Sequence, residues 1–130
     1  MKTAVRYYSK LGNTKKIAEA IAEEAGVKAV SVTEEPDLTE YVDVLFLGGA
    51  PYANIMAPQL REYAARLSSD KIGRVVLFTT SNWSRRTVRT LRKILTEKGI
   101  PVEKRYFYAH MTRIKARIEP AKNFARRIIE

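Results

Sequence analysis

The sequence predicts a doubly wound, three-layer α/β fold, in which helices cover both faces of a five-stranded parallel sheet. Short runs rich in Val, Leu, Phe and Tyr alternate with amphipathic stretches along the whole chain. Two of these runs, residues 42–47 and 75–78, are almost continuously apolar, which is typical of strands buried on both faces. No repeat or low-complexity linker interrupts the alternation, so we expect residues 1–130 to form a single domain.

Five strands and four helices are predicted, each from its apolar spacing. The strands are expected near Thr3–Tyr8, Val27–Val32, Val42–Leu47, Val75–Thr80 and Val102–Tyr108. The helices are expected near Thr14–Ala25, Pro58–Leu67, Arg85–Lys98 and Glu119–Ile129. The segment Thr33–Tyr41 is acidic and contains Pro36, which predicts a long loop or a short helix and not a full crossover element.

The composition excludes several classes of function. The chain has no cysteine, which removes disulfides, thiol catalysis and thiolate metal sites. Its single histidine, His110, has no obvious partner, so neither a metal site nor a catalytic dyad is expected. No stretch of about twenty apolar residues and no secretion signal is visible, so we expect a cytoplasmic protein without membrane contact.

Positive charge is concentrated in the second half of the chain. The net charge is +10, but residues 1–65 hold 7 Lys and Arg against 9 Asp and Glu, whereas residues 66–130 hold 17 against 5. The predicted third helix places five cations opposite its apolar face: Arg85, Arg86, Arg89, Arg92 and Lys93. This surface is either an ordinary solvated helix face or a docking surface for an acidic partner. Nucleic acid is not expected, because these cations are not interleaved with exposed aromatic residues.

Three loops are predicted to form one ligand site, because ligands of open parallel sheets bind beyond the carboxyl ends of the strands. The loops are Ser9–Thr14, Gly48–Asn54 and Thr79–Ser84. The candidate binding residues are Ser9, Lys10, Leu11, Gly12, Asn13 and Thr14 in the first loop, Ala50, Pro51, Tyr52, Ala53 and Asn54 in the second, and Thr80, Ser81, Asn82 and Trp83 in the third. The first loop precedes a helix, whose free N–H groups and dipole favour an anion. The same residues are also compatible with an ordinary turn in which Asn13 or Thr14 caps the helix. Tyr52 and Trp83 are expected to flank a planar ring.

On these residues the chain resembles the short-chain flavodoxins, a family of flavodoxin-like FMN-binding domains. The segment Ser9-Lys-Leu-Gly-Asn-Thr14 resembles the family's phosphate loop, and Gly48-Gly-Ala-Pro-Tyr52 resembles its second flavin loop. The resemblance implies the flavodoxin-like strand order 2-1-3-4-5 and FMN as a non-covalent cofactor. It also implies one-electron transfer, by an electron carrier or a small flavin reductase component, more than an enzyme with its own substrate. With that function, the basic surface of the second half would suit an acidic redox protein as the partner. Trp83 matches the third flavin loop in position only.

Three features depart from the family pattern and keep other functions open. Leu11 stands where the family usually has Thr or Ser, Asn54 stands where Gly is frequent, and the chain is basic where electron-carrier flavodoxins are acidic. One alternative is therefore a flavodoxin-like binding or regulatory domain without tight FMN binding. Another is a polyanion-binding module that uses the basic C-terminal half. A response-regulator receiver is not supported, because no acidic pair follows the first strand.

Overall fold

The computed structural model describes residues 1–34 and 37–130, and its centre is a parallel sheet. Two further strands form a short antiparallel hairpin beside it. The strands are β1 (Thr3–Tyr8), β2 (Ala29–Ser31), β3 (Val42–Gly49), β4 (Pro51–Tyr52), β5 (Ile55–Met56), β6 (Ile72–Ser81) and β7 (Phe107–His110). The sheet has the order β2-β1-β3-β6-β7, and all of its neighbouring strands are parallel. When only the five strands of this sheet are numbered in chain order, the order becomes 2-1-3-4-5. The predicted flavodoxin-like fold class is therefore confirmed.

Four α-helices cover the two faces of the sheet. They are α1 (Asn13–Ala25), α2 (Pro58–Arg66), α3 (Arg86–Glu97) and α4 (Ile118–Ile129). The period of two along β3 sends Leu45 and Leu47 into a core with α2 and α3, whereas Phe46 enters a second core with α1 and α4. Both cores are closed to solvent, which is why β3 has an almost unbroken apolar sequence.

The two edge strands are shorter than predicted. Gly26 ends α1 at a φ of 73°, and the N–H of Val27 bonds to the carbonyl of Ala22, so the start of the predicted second strand belongs to the helix terminus. On the other edge, Val102 pairs alone with Val75, and the ladder resumes only at Phe107 opposite Phe78.

Charged side chains lie at this interruption. Two extra residues lie between these pairs on the edge segment. The Glu103 N–H still donates to the Val75 carbonyl at 2.8 Å, and the Glu103 carboxylate bonds to Arg105 and lies 3.5 Å from the Arg74 guanidinium.

The described part of Thr33–Tyr41 contains neither helix nor strand, in agreement with a loop. Two of its residues, Glu35 and Pro36, lie outside the described residues. Within the described ranges, no helix combines the length and the apolar character needed to cross a lipid bilayer.

Candidate functional site

The three predicted loops meet at the carboxyl ends of β1, β3 and β6, where they enclose a cavity of about 320 Å³. This position is the topological switch point of the sheet, since the chain moves outward in opposite directions from β1 and β3. The cavity wall contains most of the predicted site residues: Ser9, Leu11, Asn13, Thr14, Ala50, Pro51, Tyr52, Asn54, Thr80, Ser81 and Asn82. Ser84 and Met111 complete the wall and were not predicted.

The first loop presents unpaired backbone donors to this cavity. Gly12 is the N-cap of α1 at a φ of 97°, and no side chain caps the helix, so the alternative turn capped by Asn13 or Thr14 is not observed. Ser9 Oγ instead accepts the Gly12 N–H at 3.0 Å. Within residues 1–34 and 37–130, the N–H groups of Asn13, Thr14 and Lys15 have no acceptor. A site of this kind favours an anion.

Thr14 ties the first loop to the fourth sheet strand. Its side chain is buried, and its Oγ1 lies 2.7 Å from Thr80 Oγ1 at the end of β6. Either hydroxyl can donate, so Thr14 can accept from Thr80 and direct its own proton elsewhere. Thr79 makes a second cross-link, donating to the Gly49 carbonyl at 2.7 Å. These two bonds hold the strand ends that carry all three loops.

The second loop contains a β-hairpin, formed by β4 and β5, which the sequence analysis did not predict. Ala53 and Asn54 form the turn between β4 and β5, with φ values of 52° and 60°. Two successive residues at positive φ are the signature of a type I′ turn, for which Asn is well suited and Ala is not. The Ala at the first position removed the usual Asn-Gly sequence signal, so the hairpin was missed.

Tyr52 connects this hairpin to the first loop. Its hydroxyl accepts the Lys10 N–H at 2.8 Å, and its ring packs edge-on against Tyr8. Burial raises the pKa of the Tyr52 phenol above its ordinary value, despite the opposing bond from the Lys10 backbone. The phenol therefore remains neutral at physiological pH and presents a half-buried aromatic wall.

The third loop is fixed by the neighbouring strand β7. Trp83 has a φ of 75°, and its N–H donates to the Tyr108 hydroxyl, which in turn donates to the Ser81 carbonyl at 3.0 Å. Asn82 Oδ1 lies 2.8 Å from Nε2 of His110. His110, which had no partner in the sequence interpretation, thus supports this loop.

The remaining predicted residues lie beside the cavity wall and not in it. Lys10 places its ammonium 5.7 Å from the centre of the Tyr52 ring, Gly12 provides the turn, and Ala53 is exposed at the hairpin tip. Trp83 is 73% exposed and packs against the His110 ring, so only Tyr52 of the predicted aromatic pair lies in the wall.

The two wall residues that sequence reasoning missed differ in how they could have been found. Ser84 is the last residue of the predicted third loop, but it was not among the candidate binding residues, which ended at Trp83. Met111 follows β7 and carries no local signal. The pairing of its N–H with the Ser81 carbonyl brings it to the cavity.

The side chains of the cavity wall are of the types that bind a ligand. Hydroxyl, amide, aromatic and small apolar groups form it, and no ionisable carboxylate, lysine or histidine is among them. In the part of the chain that the structure describes, no group of three or more His, Cys, Asp or Glu is placed to hold a metal ion. The geometry suits a planar ring in the cavity with an anionic group at the first loop.

The sequence of the chain was compared with models of known protein families. A family model described as a flavodoxin domain matches residues 4–114. The chain belongs to the flavodoxin domain family. Comparison with curated proteins gives no match.

Solved flavodoxin structures match nearly the whole chain. Oxidised flavodoxin 1 from Bacillus cereus is 17% identical, with a TM-score of 0.79 over 98% of this chain and 97% of that one. A flavodoxin from the domain Archaea is 19% identical, with a TM-score of 0.75 over 100% of both chains. A variant flavodoxin from Fusobacterium nucleatum, bound to flavin mononucleotide, is 16% identical, with a TM-score of 0.68 over 96% and 93%. At these identities the likeness establishes the flavodoxin fold.

Proposed function

We propose that this flavodoxin-domain protein binds FMN without a covalent bond and transfers single electrons. The observation that supports the proposal most strongly is the coincidence of two features at one place. The cavity at the sheet switch point adjoins the unpaired N–H groups of Asn13, Thr14 and Lys15. A planar ring that carries a phosphate needs both a slot and an anion site, and this edge of the sheet offers both.

The residues present fit this cofactor. The first loop would hold the phosphate, with Ser9 and Asn13 lining the cavity and the backbone of Gly12 allowing close approach. Tyr52 would face the ring, and Ala50 and Pro51 leave room for it. Leu11 removes one hydroxyl donor relative to the family pattern, which costs about 0.5–1.5 kcal/mol, or roughly tenfold in affinity.

FMN supplies redox chemistry when bound, and the chain's own groups supply binding and orientation. Tyr52 is neutral at physiological pH and donates no charge to the site. The Thr14 to Thr80 and Thr79 to Gly49 bonds hold the loop bases in fixed positions. Rigid loop bases favour electron transfer because little rearrangement accompanies a change in charge.

An absorbance titration tests the proposal. The purified protein, stripped of bound flavin, is titrated with FMN, and we expect a difference spectrum that saturates at one FMN per chain. Stepwise reduction of the loaded protein under anaerobic conditions then measures its one-electron potentials. Saturation without reversible reduction would remove electron transfer and leave FMN binding in place. No saturable spectral change at micromolar FMN would instead favour the binding or regulatory domain without tight FMN.

A further inference from the structure

Exposed apolar side chains surround the mouth of the cavity. Leu11, Ile55, Trp83 and Met111 are 75%, 61%, 73% and 41% exposed and come from four different segments. Leu11 and Met111 also line the cavity, and Trp83 and Ile55 follow directly on Asn82 and Asn54, which line it as well. Ile55 itself lines the neighbouring hollow, which shares Tyr52 with the cavity. Single exposed apolar residues are ordinary, but a group around one opening indicates a contact surface. We call these four residues the apolar rim.

Unpaired cations line a groove that begins at the same place. The groove lies between α2 and α3, has a volume of about 440 Å³ and contains Arg61, Arg86, Arg89 and Lys93. Glu97 is the one acidic residue in its wall. Across residues 1–34 and 37–130, none of these four cations has an ion pair. By contrast, Arg66, Arg74 and Arg126 each form an ion pair with a carboxylate. We call these four residues the basic groove.

The apolar rim and the basic groove are adjacent. Ser84 Oγ donates to Asn54 Oδ1 and accepts the N–H of Arg86, so Ser84 links the first residue of α3 to the hairpin. α3 also packs against β5, the strand that carries Ile55. Arg86, Arg89 and Lys93 therefore follow one another along α3 from a helix start that lies next to the cavity wall, and Arg61 faces them from α2.

We infer that the apolar rim and the basic groove together form the docking surface for an acidic redox protein. The inference rests on the proposed function, because a redox partner must reach the cavity mouth. Uncompensated cations beside the mouth steer an acidic protein to that place and repel a basic one. The apolar rim at the opening supplies the contact area that excludes water after the encounter. Nucleic acid is the less suitable occupant, because the rim residues are not interleaved with the cations as base-stacking requires.

A charge-reversal experiment tests the inference on the FMN-loaded protein. The triple variant Arg86→Glu, Arg89→Glu, Lys93→Glu changes the basic groove. Its matched control, Lys28→Glu, Lys104→Glu, Arg127→Glu, lowers the net charge equally at exposed positions away from the cavity mouth. Stopped-flow absorbance measures electron transfer to an acidic [2Fe–2S] ferredoxin and, as the opposite probe, to a basic cytochrome c.

The expected result distinguishes an effect of the basic groove itself from an effect of the protein's net charge. At low ionic strength the groove variant should react with the ferredoxin about tenfold more slowly and with the cytochrome faster, while the control should change far less. High salt should remove most of the difference. Equal loss in both variants, or no loss in either, overturns the inference. Groove-dependent binding of a single-stranded oligonucleotide that outcompetes the ferredoxin overturns it in favour of nucleic acid.

The apolar rim has a test of its own. Ile55→Ser should slow reaction with the ferredoxin severalfold at both low and high salt, whereas Ile55→Leu should retain the rate. A salt-independent loss is what removal of apolar contact area produces. The same rate in Ile55→Ser at every ionic strength contradicts a contribution of the rim. Because every variant is first shown to bind FMN and to undergo reduction, failure of the docking surface is distinguishable from failure of the proposed function.

Discussion

The first and third loops line the same cavity, but their polar groups are used in opposite ways. In the first loop one internal bond, from the Gly12 N–H to Ser9 Oγ, shapes the turn, and the next three N–H groups have no acceptor in the described ranges. In the third loop nearly every polar group is engaged. Ser81 Oγ donates to the Ser84 carbonyl, and the backbone of Trp83 bonds to both Tyr108 and Arg85.

The difference follows from what each loop would contact. A loop that recognises an anion must keep its donors available, and a helix N-terminus keeps them unpaired by geometry alone. A loop that positions a ring offers shape, which requires that its backbone be held by other parts of the fold. Loss of a donor in the first loop should therefore affect one chemical group of the ligand. Loss of a support in the third loop should affect the whole ligand.

The largest effect is expected from removing side-chain donors of the first loop. Ser9→Ala combined with Asn13→Ala should weaken FMN about 100-fold, because each bond to a charged group contributes roughly 1.5–3 kcal/mol. Riboflavin, which lacks the phosphate, serves as the control ligand and should lose little. Fluorescence titration measures both affinities. An equal loss for the two ligands would show that the first loop does not hold the phosphate.

The next largest effect concerns the link between the two loops. Thr14→Val leaves the buried Thr80 hydroxyl without its partner and should lower the free energy of unfolding by about 1–3 kcal/mol. The double variant Thr14→Val, Thr80→Val should lose less than the sum of the single variants, since no hydroxyl is then left unpaired. Urea unfolding of the wild type, the two single variants and the double variant gives the four free energies of this double-mutant cycle. Additive losses would contradict a functional bond between these residues.

A smaller and less selective effect is expected from the support of the third loop. Tyr108→Phe removes the hydroxyl that bonds both the Trp83 N–H and the Ser81 carbonyl, at a cost of about 1 kcal/mol in stability for each of the two bonds. FMN and riboflavin should weaken by the same factor, because the ring and not the phosphate is disturbed. If only FMN binding became weaker, the third loop would contact the phosphate and not the ring, which contradicts the difference argued between the first and third loops.

The smallest effect is expected at Tyr52, which joins the first loop to the hairpin. Tyr52→Phe should cost about 0.5–1.5 kcal/mol of stability near pH 8, because it removes the bond from the Lys10 N–H.

The difference in the free energy of unfolding between the wild type and Tyr52→Phe should become smaller at alkaline pH. Burial raises the pKa of Tyr52 in the folded state, so the stability linked to its proton is present below pH 10 and is lost as the pH rises through the raised value. Urea unfolding at pH 8 and pH 11 measures the change. A difference that grows with pH would mean that the phenol is more acidic in the folded protein.

The order of the five sheet strands and the four helices, and the positions of the three loops, were predictable from the sequence alone. The centres of β3 and β6, residues 42–47 and 75–78, are nearly all apolar, and the helices α3 and α4 have one apolar face each. Periodicity therefore determined the type of each of these elements, although β6 begins three residues before its predicted start. The first loop was recognisable for the same reason, since a strand, a short polar turn and a helix follow one another locally.

Only the tertiary structure decided the contacts between these loops. The hairpin of β4 and β5 places Ala at a position that usually carries Gly or Asn, and surrounding contacts of Tyr52 and Asn54 hold it there against local preference. The exposure of Trp83, the role of His110 and the presence of Met111 all depend on the pairing of β6 with β7. Local propensity is encoded within a few residues, whereas these contacts join segments 25 or more residues apart, and no local pattern specifies them.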